Sequence, residues 1–109
     1  MEGIVQPFQS WDDWPEAGRG IFKAFRSEEG ENLVLQRNKF VDAVLPSSVI
    51  RSLGDEEMSH YRQSFSTPED RQPTLNWPRQ IPIDGEPADM VALVGCYAEW
   101  LSKSTELPK

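Results

Sequence analysis

Histidine and cysteine, the side chains best suited to act as base and thiol nucleophile near neutral pH, are scarce. There is one histidine, His60, and one cysteine, Cys96. His60 stands in "EEMSHYR", a charged stretch with no serine or cysteine motif around it, and reads as a surface side chain rather than a base. Cys96 falls near the apolar side of a helical run and reads as an inert buried thiol. A lone cysteine makes neither an intrachain disulfide nor a four-cysteine zinc site, and this usage fits a reducing, cytoplasmic compartment. No G-x-[SD]-x-G nucleophile elbow occurs. The adjacent acids Asp55, Glu56 and Glu57 cannot converge on a cation from one helical turn, so they read as a helix start and no metal is expected. Glu2, taken alone, is a solvated charge near a terminus. The remaining candidates are aromatic. Trp14, Phe22 and Phe25 recur at helical spacing, and Trp77 stands in a proline-rich run. By default such rings are packing core, and the chemistry open to them is the enclosure of something apolar.

The bulk properties narrow the partners. The 109 residues suit one domain, and 38% apolar content leaves little margin for a core. Acids outnumber bases 18 to 11, a net charge of −7 that opposes nucleic acid and anionic lipid surfaces. No apolar run approaches the roughly 20 residues needed to span a bilayer. "MEGIVQPF" lacks the basic and apolar regions of a secretion signal.

The elements that must position these residues follow from period and punctuation. Ile4 and Val5 read as the end of a short buried strand stopped by Pro7. Asp12 or Asp13 is expected to cap a helix with Pro15 in its first turn and an apolar face of Trp14, Ala17, Ile21, Phe22 and Phe25. Gly18 and Gly20 weaken that helix, so it needs tertiary support. Ser27 with Glu28 and Glu29 opens a second helix through Leu33, Val34 and Leu35, and Asn38 stops it. Phe40, Val41, Val44 and Leu45 give further turns ended by Pro46. "SSVIRSL" is a connector. Ser52 or Asp55 caps "DEEMSHYRQSF", where Met58, Tyr61 and Phe65 share a face. Thr67-Pro68-Glu69-Asp70 opens a short helix. Pro78, Pro82 and Pro87 push Trp77, Ile81 and Glu86 out of the helical region, which predicts an extended, preset path. Pro87 then opens a long helix whose buried face is Met90, Leu93, Val94, Tyr97 and Leu101, with Lys103 at its C-terminal end. Five or six helices framed by strand-like ends read as an insertion from a larger α/β protein.

Several stretches resemble the haloalkane dehalogenases, a branch of the α/β-hydrolase superfamily. They are "MEGI", "WDDWPE", "FKAFR", "NKFVDAVLP", "DEEMSHYRQSF", "RQPTLNWPRQIPIDGEPADMVALV" and "YAEWL". They span nearly the whole chain in order, and "WPR-x-IPI-x-GEPA" is the most specific. The related coelenterazine-using luciferases share much of this pattern.

The resemblance implies a mostly α fold: the helical cap of an α/β-hydrolase, with one short strand remnant at the N-terminus, incomplete without the core sheet. It implies that residues 1–8 are the end of a core strand and a loop, 9–83 the cap, and 84–109 the core helix after the cap with the lead into the next strand. In the family an aspartate displaces halide, and a histidine oriented by a carboxylate activates water to cleave the alkyl-enzyme ester. The nucleophile and halide-binding groups would precede Met1 and the histidine would follow Lys109, so the chain alone is expected to be inactive. Glu2 matches the orienting acid of one subfamily. Phe22, Phe25, Phe40, Val44, Ser48, Trp77, Pro78 and Ile81 match tunnel and pocket walls, with Pro78 nearest the halide pocket. No cofactor is implied. The partners implied are a small apolar substrate and the α/β-hydrolase core. Three readings stand: part of a dehalogenase acting on a haloalkane, part of a luciferase-type monooxygenase acting on coelenterazine, or a free-standing helical interaction module.

Overall fold

Ser10 sets where the first helical turn begins. In the computed structural model, which describes residues 3–106, the Ser10 hydroxyl accepts the Asp12 N–H at 3.2 Å. The Asp13 carboxylate accepts the N–H groups of Gln9 and Ser10 at 3.1 and 3.2 Å. The turn so closed is a single 3-10 turn, Trp11–Asp13, and α1 starts only at Glu16 (Glu16–Arg26). Ser10 caps that separate turn, the expected aspartates lie within it ahead of α1, and Trp14 lies outside the helix. Helices α2 (Leu45–Ser47), α3 (Asp55–Gln63), α4 (Gln72–Gln80) and α5 (Ala88–Lys103) follow, with π-helical turns at Asn32–Gln36 and Phe40–Val44. The chain is mostly helical, as expected, and no strand occurs among the described residues. The predicted strand remnant shows only an isolated bridge at Phe8, and Glu2 lies outside the described residues. The residues fall into two compact units, Met1–Glu16 with Gln80–Lys109, and Ala17–Arg79.

The core of the Ala17–Arg79 unit is Phe25, Val34 and Leu75, with Ile21, Leu33, Leu35, Phe40 and Val44 packed around them. Phe25 lies three residues after Phe22, so both point inward from α1, and both are buried. The Ser27 hydroxyl donates to the Ala24 carbonyl and accepts the Glu29 N–H, which closes α1 and starts the next segment. Asn38 ends that segment with φ at 48°, a conformation asparagine tolerates better than most residues. Pro46 does not end the following turns. It lies inside a helical run that continues from the Phe40–Val44 turn into α2. Gly54, rather than Ser52 or Asp55, precedes α3, and the Glu57 carboxylate accepts the Gly54 N–H at 3.0 Å.

The prediction of an extended path through Trp77 fails, because α4 runs through Pro73 and Pro78. Pro73 sits at the second helical position, where no intrahelical bond is lost. A proline deep in a helix costs about 3 kcal/mol. Pro78 lies two residues from the end of α4, and Arg26 Nη1 donates to its carbonyl at 2.9 Å. A hydrogen bond to a charged donor offsets about 1.5–3 kcal/mol, and the seat of the Trp77 ring adds to it.

The second unit builds its extended path only after Gln80. The Phe8 N–H donates to the Pro82 carbonyl at 2.9 Å and the Asp84 N–H to the Phe8 carbonyl at 3.0 Å, a parallel bridge between Phe8 and Ile83. Asp84 and Gly85, with φ of 55° and 80°, turn the chain so that Ile83 and Glu86 exchange both backbone hydrogen bonds at 3.0 Å. Two successive positive φ values suit an Asp-Gly pair. Phe8 meets Trp14 edge-on at 5.2 Å, which is where that indole goes instead of onto α1. The Glu86–Pro87 peptide is cis. Pro87 then stands immediately before α5, whose first turn carries Asp89. Val94 is buried, and Met90, Tyr97 and Leu101 are half-buried. Leu93 and Cys96 are exposed, against the expected buried face and buried thiol, and Trp100 is exposed as well. Helix α5 is apolar on more than one side, so its spacing does not single out one buried face.

The Arg51 guanidinium, followed by the Gly54 N–H, holds the Glu57 carboxyl down from 4.5 to about 2. Arg51 Nη1 and Nη2 reach its two oxygens at 2.9 and 2.5 Å. A depressed carboxylate stabilises the fold above its ordinary value, and that contribution disappears as pH falls through the folded value. The Gly54 amide resonance should therefore titrate with a midpoint near 2, and Glu57→Gln should abolish that titration in an NMR pH series.

Candidate functional site

Four rings of the Ala17–Arg79 unit form a closed circuit. Phe22 and Phe25 come from α1, Phe40 from the second π-helical turn and Trp77 from α4. Centroids are 6.0 Å apart for Phe22–Phe25 and 6.1 Å for Phe25–Phe40, Phe40–Trp77 and Trp77–Phe22. Both Trp77 contacts are edge-on, with ring planes at 74° to Phe22 and 89° to Phe40, an arrangement the ring quadrupoles favour. Exposure climbs around the circuit. Phe25 is fully buried, Phe22 is 7% exposed, Phe40 is half-buried and Trp77 is 52% exposed. One side of the circuit is thus core and the other faces outward.

Chemically this surface is restricted. It offers π faces, C–H edges and one indole N–H, and nothing that titrates near neutral pH. It can bind apolar groups and exclude water, but it cannot transfer a proton. Among the described residues no three His, Cys, Asp or Glu side chains gather closely enough to hold a metal.

The other predicted wall residues are distributed as follows. Val44 packs against the Phe25–Val34–Leu75 core. Pro78 is buried beside Trp77, with its carbonyl held by Arg26. Ser48 is exposed, and its hydroxyl donates to the Val44 carbonyl at 2.7 Å. Ile81 is buried at 2% but belongs to the other unit. Glu2 falls outside the described residues. His60 is exposed on α3. The second unit carries an open hollow of about 700 Å³, lined by Gln6, Phe8, Asp13, Val91, Gly95 and Ala98 among others, and no predicted site residue reaches it.

Sequence reasoning missed the arginines that brace the rings. Arg79 Nε and Nη2 donate to the carbonyls of Phe25 and Ser27, each at 3.1 Å. Arg71 donates to the carbonyls of Phe65, Ser66 and Leu35 at 2.8, 3.1 and 2.7 Å. The only available signal was an arginine without a nearby acid at helical spacing, which by itself is an ordinary surface feature.

Among known proteins, no protein-family model matches the chain. Curated relatives do. It is 54% identical to a haloalkane dehalogenase of Sphingobium indicum over 110 residues, covering 100% of this chain and 36% of that protein. It is 47% identical to a haloalkane dehalogenase of Mycolicibacterium smegmatis, again along its full length and over 35% of that protein. Similar solved structures include the haloalkane dehalogenase DbeA from Bradyrhizobium elkani, at TM-score 0.78 and 43% identity, covering 87% of this chain and 33% of that one. DatA from Agrobacterium tumefaciens matches at TM-score 0.78 and 31% identity, covering 96% and 36%. The chain spans about a third of the length of the relatives it matches.

The exposure gradient separates structure from surface. Phe25→Ala should destabilise the protein by about 3–5 kcal/mol, the range for a buried phenylalanine. Trp77→Ala, which loses two ring contacts at a half-exposed position, should cost about 1–3 kcal/mol. Urea unfolding of both variants checks the order.

Proposed function

We propose that this chain, which belongs along its whole length to the haloalkane dehalogenase family, supplies the cap over the active site of such a hydrolase together with the helix that follows. The observation that carries this reading is the closed Phe22–Phe25–Phe40–Trp77 circuit, buried on one side and open on the other. A displacement at a carbon–halogen bond gains from a dry, apolar enclosure, in which a carboxylate nucleophile is poorly solvated and stray water is kept out. Rings with no titratable proton suit that wall. Residues 9–83 are the cap in this reading, 1–8 the end of a core strand and 84–109 the helix returning to the core.

The substrate class is a small haloalkane, and the partner is the α/β-hydrolase core that carries the nucleophile and the histidine. Phe22, Phe40, Trp77 and Pro78 form the pocket wall. Phe25 and Val44 support it from the core, and Ser48 stands at its margin. Glu2 is the carboxylate that orients the histidine. Among the described residues no helix is long and apolar enough to cross a membrane.

A chimera tests the proposal, with this chain replacing the matching third of the Sphingobium indicum haloalkane dehalogenase. The chimera should release halide from a short bromoalkane, and Glu2→Gln within it should lower kcat by roughly 10³–10⁴-fold, as expected when a catalytic histidine loses its orienting acid. A folded chimera that releases no halide overturns the reading. Light emission with coelenterazine in place of halide release assigns the chain to luciferase chemistry.

A further inference from the structure

We propose that Arg79, seated by Gly30 and paired with Arg26, is a positioning residue that fixes the Trp77 ring in the pocket wall. The inference rests on the cap reading above and adds a specificity determinant to it.

The two arginines cross-link the same pair of segments in opposite directions. Arg26, the last residue of α1, donates to the Pro78 carbonyl in α4, 52 residues away. Arg79, next to Pro78, donates back to the Phe25 and Ser27 carbonyls at the end of α1, 54 and 52 residues away. Trp77 and Pro78 are thereby held against the residues that flank Phe25. The Trp77 ring meets Phe22, one turn back along α1, at 6.1 Å.

Gly30 is an independent mark of the same device. It is buried, and a Cβ there would overlap the Phe25 carbonyl and stand 2.9 Å from Arg79 Nη2. Any side chain at position 30 would occupy the space through which the guanidinium reaches the backbone. Three features meet at the Phe25 carbonyl: a missing side chain, a forked donor and a core residue.

The fork matters. Arg79 serves two carbonyls, on residues two apart, from one planar group. A lysine ammonium keeps the charge but is a compact point donor on a flexible stem and cannot hold the same two-point geometry. The indole then rests on its ring contacts and on the single Arg26–Pro78 bond. Ring contacts are shallow and permit rotation, whereas two charged hydrogen bonds do not.

The test uses the chimera, labelled with 5-fluorotryptophan, with the Trp77 resonance assigned by Trp77→Phe. Arg79→Lys should move and broaden the Trp77 fluorine resonance. Per folded protein, kcat/KM should fall about tenfold for a six-carbon bromoalkane that reaches the ring wall, and less than about twofold for a two-carbon one. Arg37→Lys, at an exposed position, should change neither. A role confined to stability lowers the folded fraction and leaves the ratio between the two substrates unchanged. An unchanged Trp77 resonance together with an unchanged ratio overturns the proposal. If the parent chimera releases no halide, the cap reading fails. The fluorine resonance of Arg79→Lys then decides the positioning role without it.

Discussion

Backbone carbonyls in the Ala17–Arg79 unit have no sheet to pair with, and arginine side chains supply the missing donors. The unit is built from short helices, two π-helical turns and connectors, so many carbonyls fall at element ends. A buried carbonyl left unpaired costs about as much as a lost hydrogen bond. Arg71 reaches the Leu35 carbonyl across 36 residues, Arg79 reaches Phe25 across 54 and Arg26 reaches Pro78 across 52. These bonds close loops that local helix formation does not, and they tie the start of the unit to its end. A guanidinium suits the task because it stays charged and offers several donors in one plane.

The apolar core and these bonds are placed together. The carbonyl that Arg79 takes belongs to Phe25, whose ring is the fully buried member of the circuit. Phe40 bridges from that ring toward Trp77 and also packs on the core formed with Val34 and Leu75. The position of the half-exposed indole therefore follows from core packing on one side and from charged hydrogen bonds on the other. A surface ring without such support would sample several rotamers, since exposed side chains reorient in ps–ns.

Much of this was legible in the sequence, and the reason differs by element. Phe22 and Phe25 sit at i and i+3, so the inner face of α1 followed from helical period. Asn38 was readable as a stop because its side chain suits a positive φ, whereas Thr67–Asp70, expected to open a short helix, forms a turn in which Asp70 accepts the Thr67 N–H at 3.2 Å and hydroxyl at 2.9 Å. Trp77 misled. The rule that a residue before proline avoids the helical region is local, whereas Trp77 is held by contacts with Phe22, 55 residues earlier, and by its neighbours' bonds to α1. Leu93 and Cys96 misled for a different reason, because α5 is apolar on several sides and period alone does not choose among them. The ring circuit was visible as residue types. The clamp beneath it joins donors and acceptors distant in sequence, and no spacing rule encodes such a pairing.

A wall that holds no titratable proton can affect a reaction only through shape and exclusion. Shape acts in proportion to how firmly it is held, because a pocket that relaxes around each ligand discriminates little between them. One extra methylene in an apolar pocket is worth about 1–3 kcal/mol only when the pocket does not yield to its absence. The four rings alone would yield, since ring contacts of about 0.5–1.5 kcal/mol each are weak restraints on orientation. The charged hydrogen bonds at the Phe25, Ser27 and Pro78 carbonyls are the stiffer restraint. They sit at the Phe25 end of the circuit, where the ring is fully buried. Under the proposed cap role, selectivity depends on the arginines behind the rings as much as on the rings themselves.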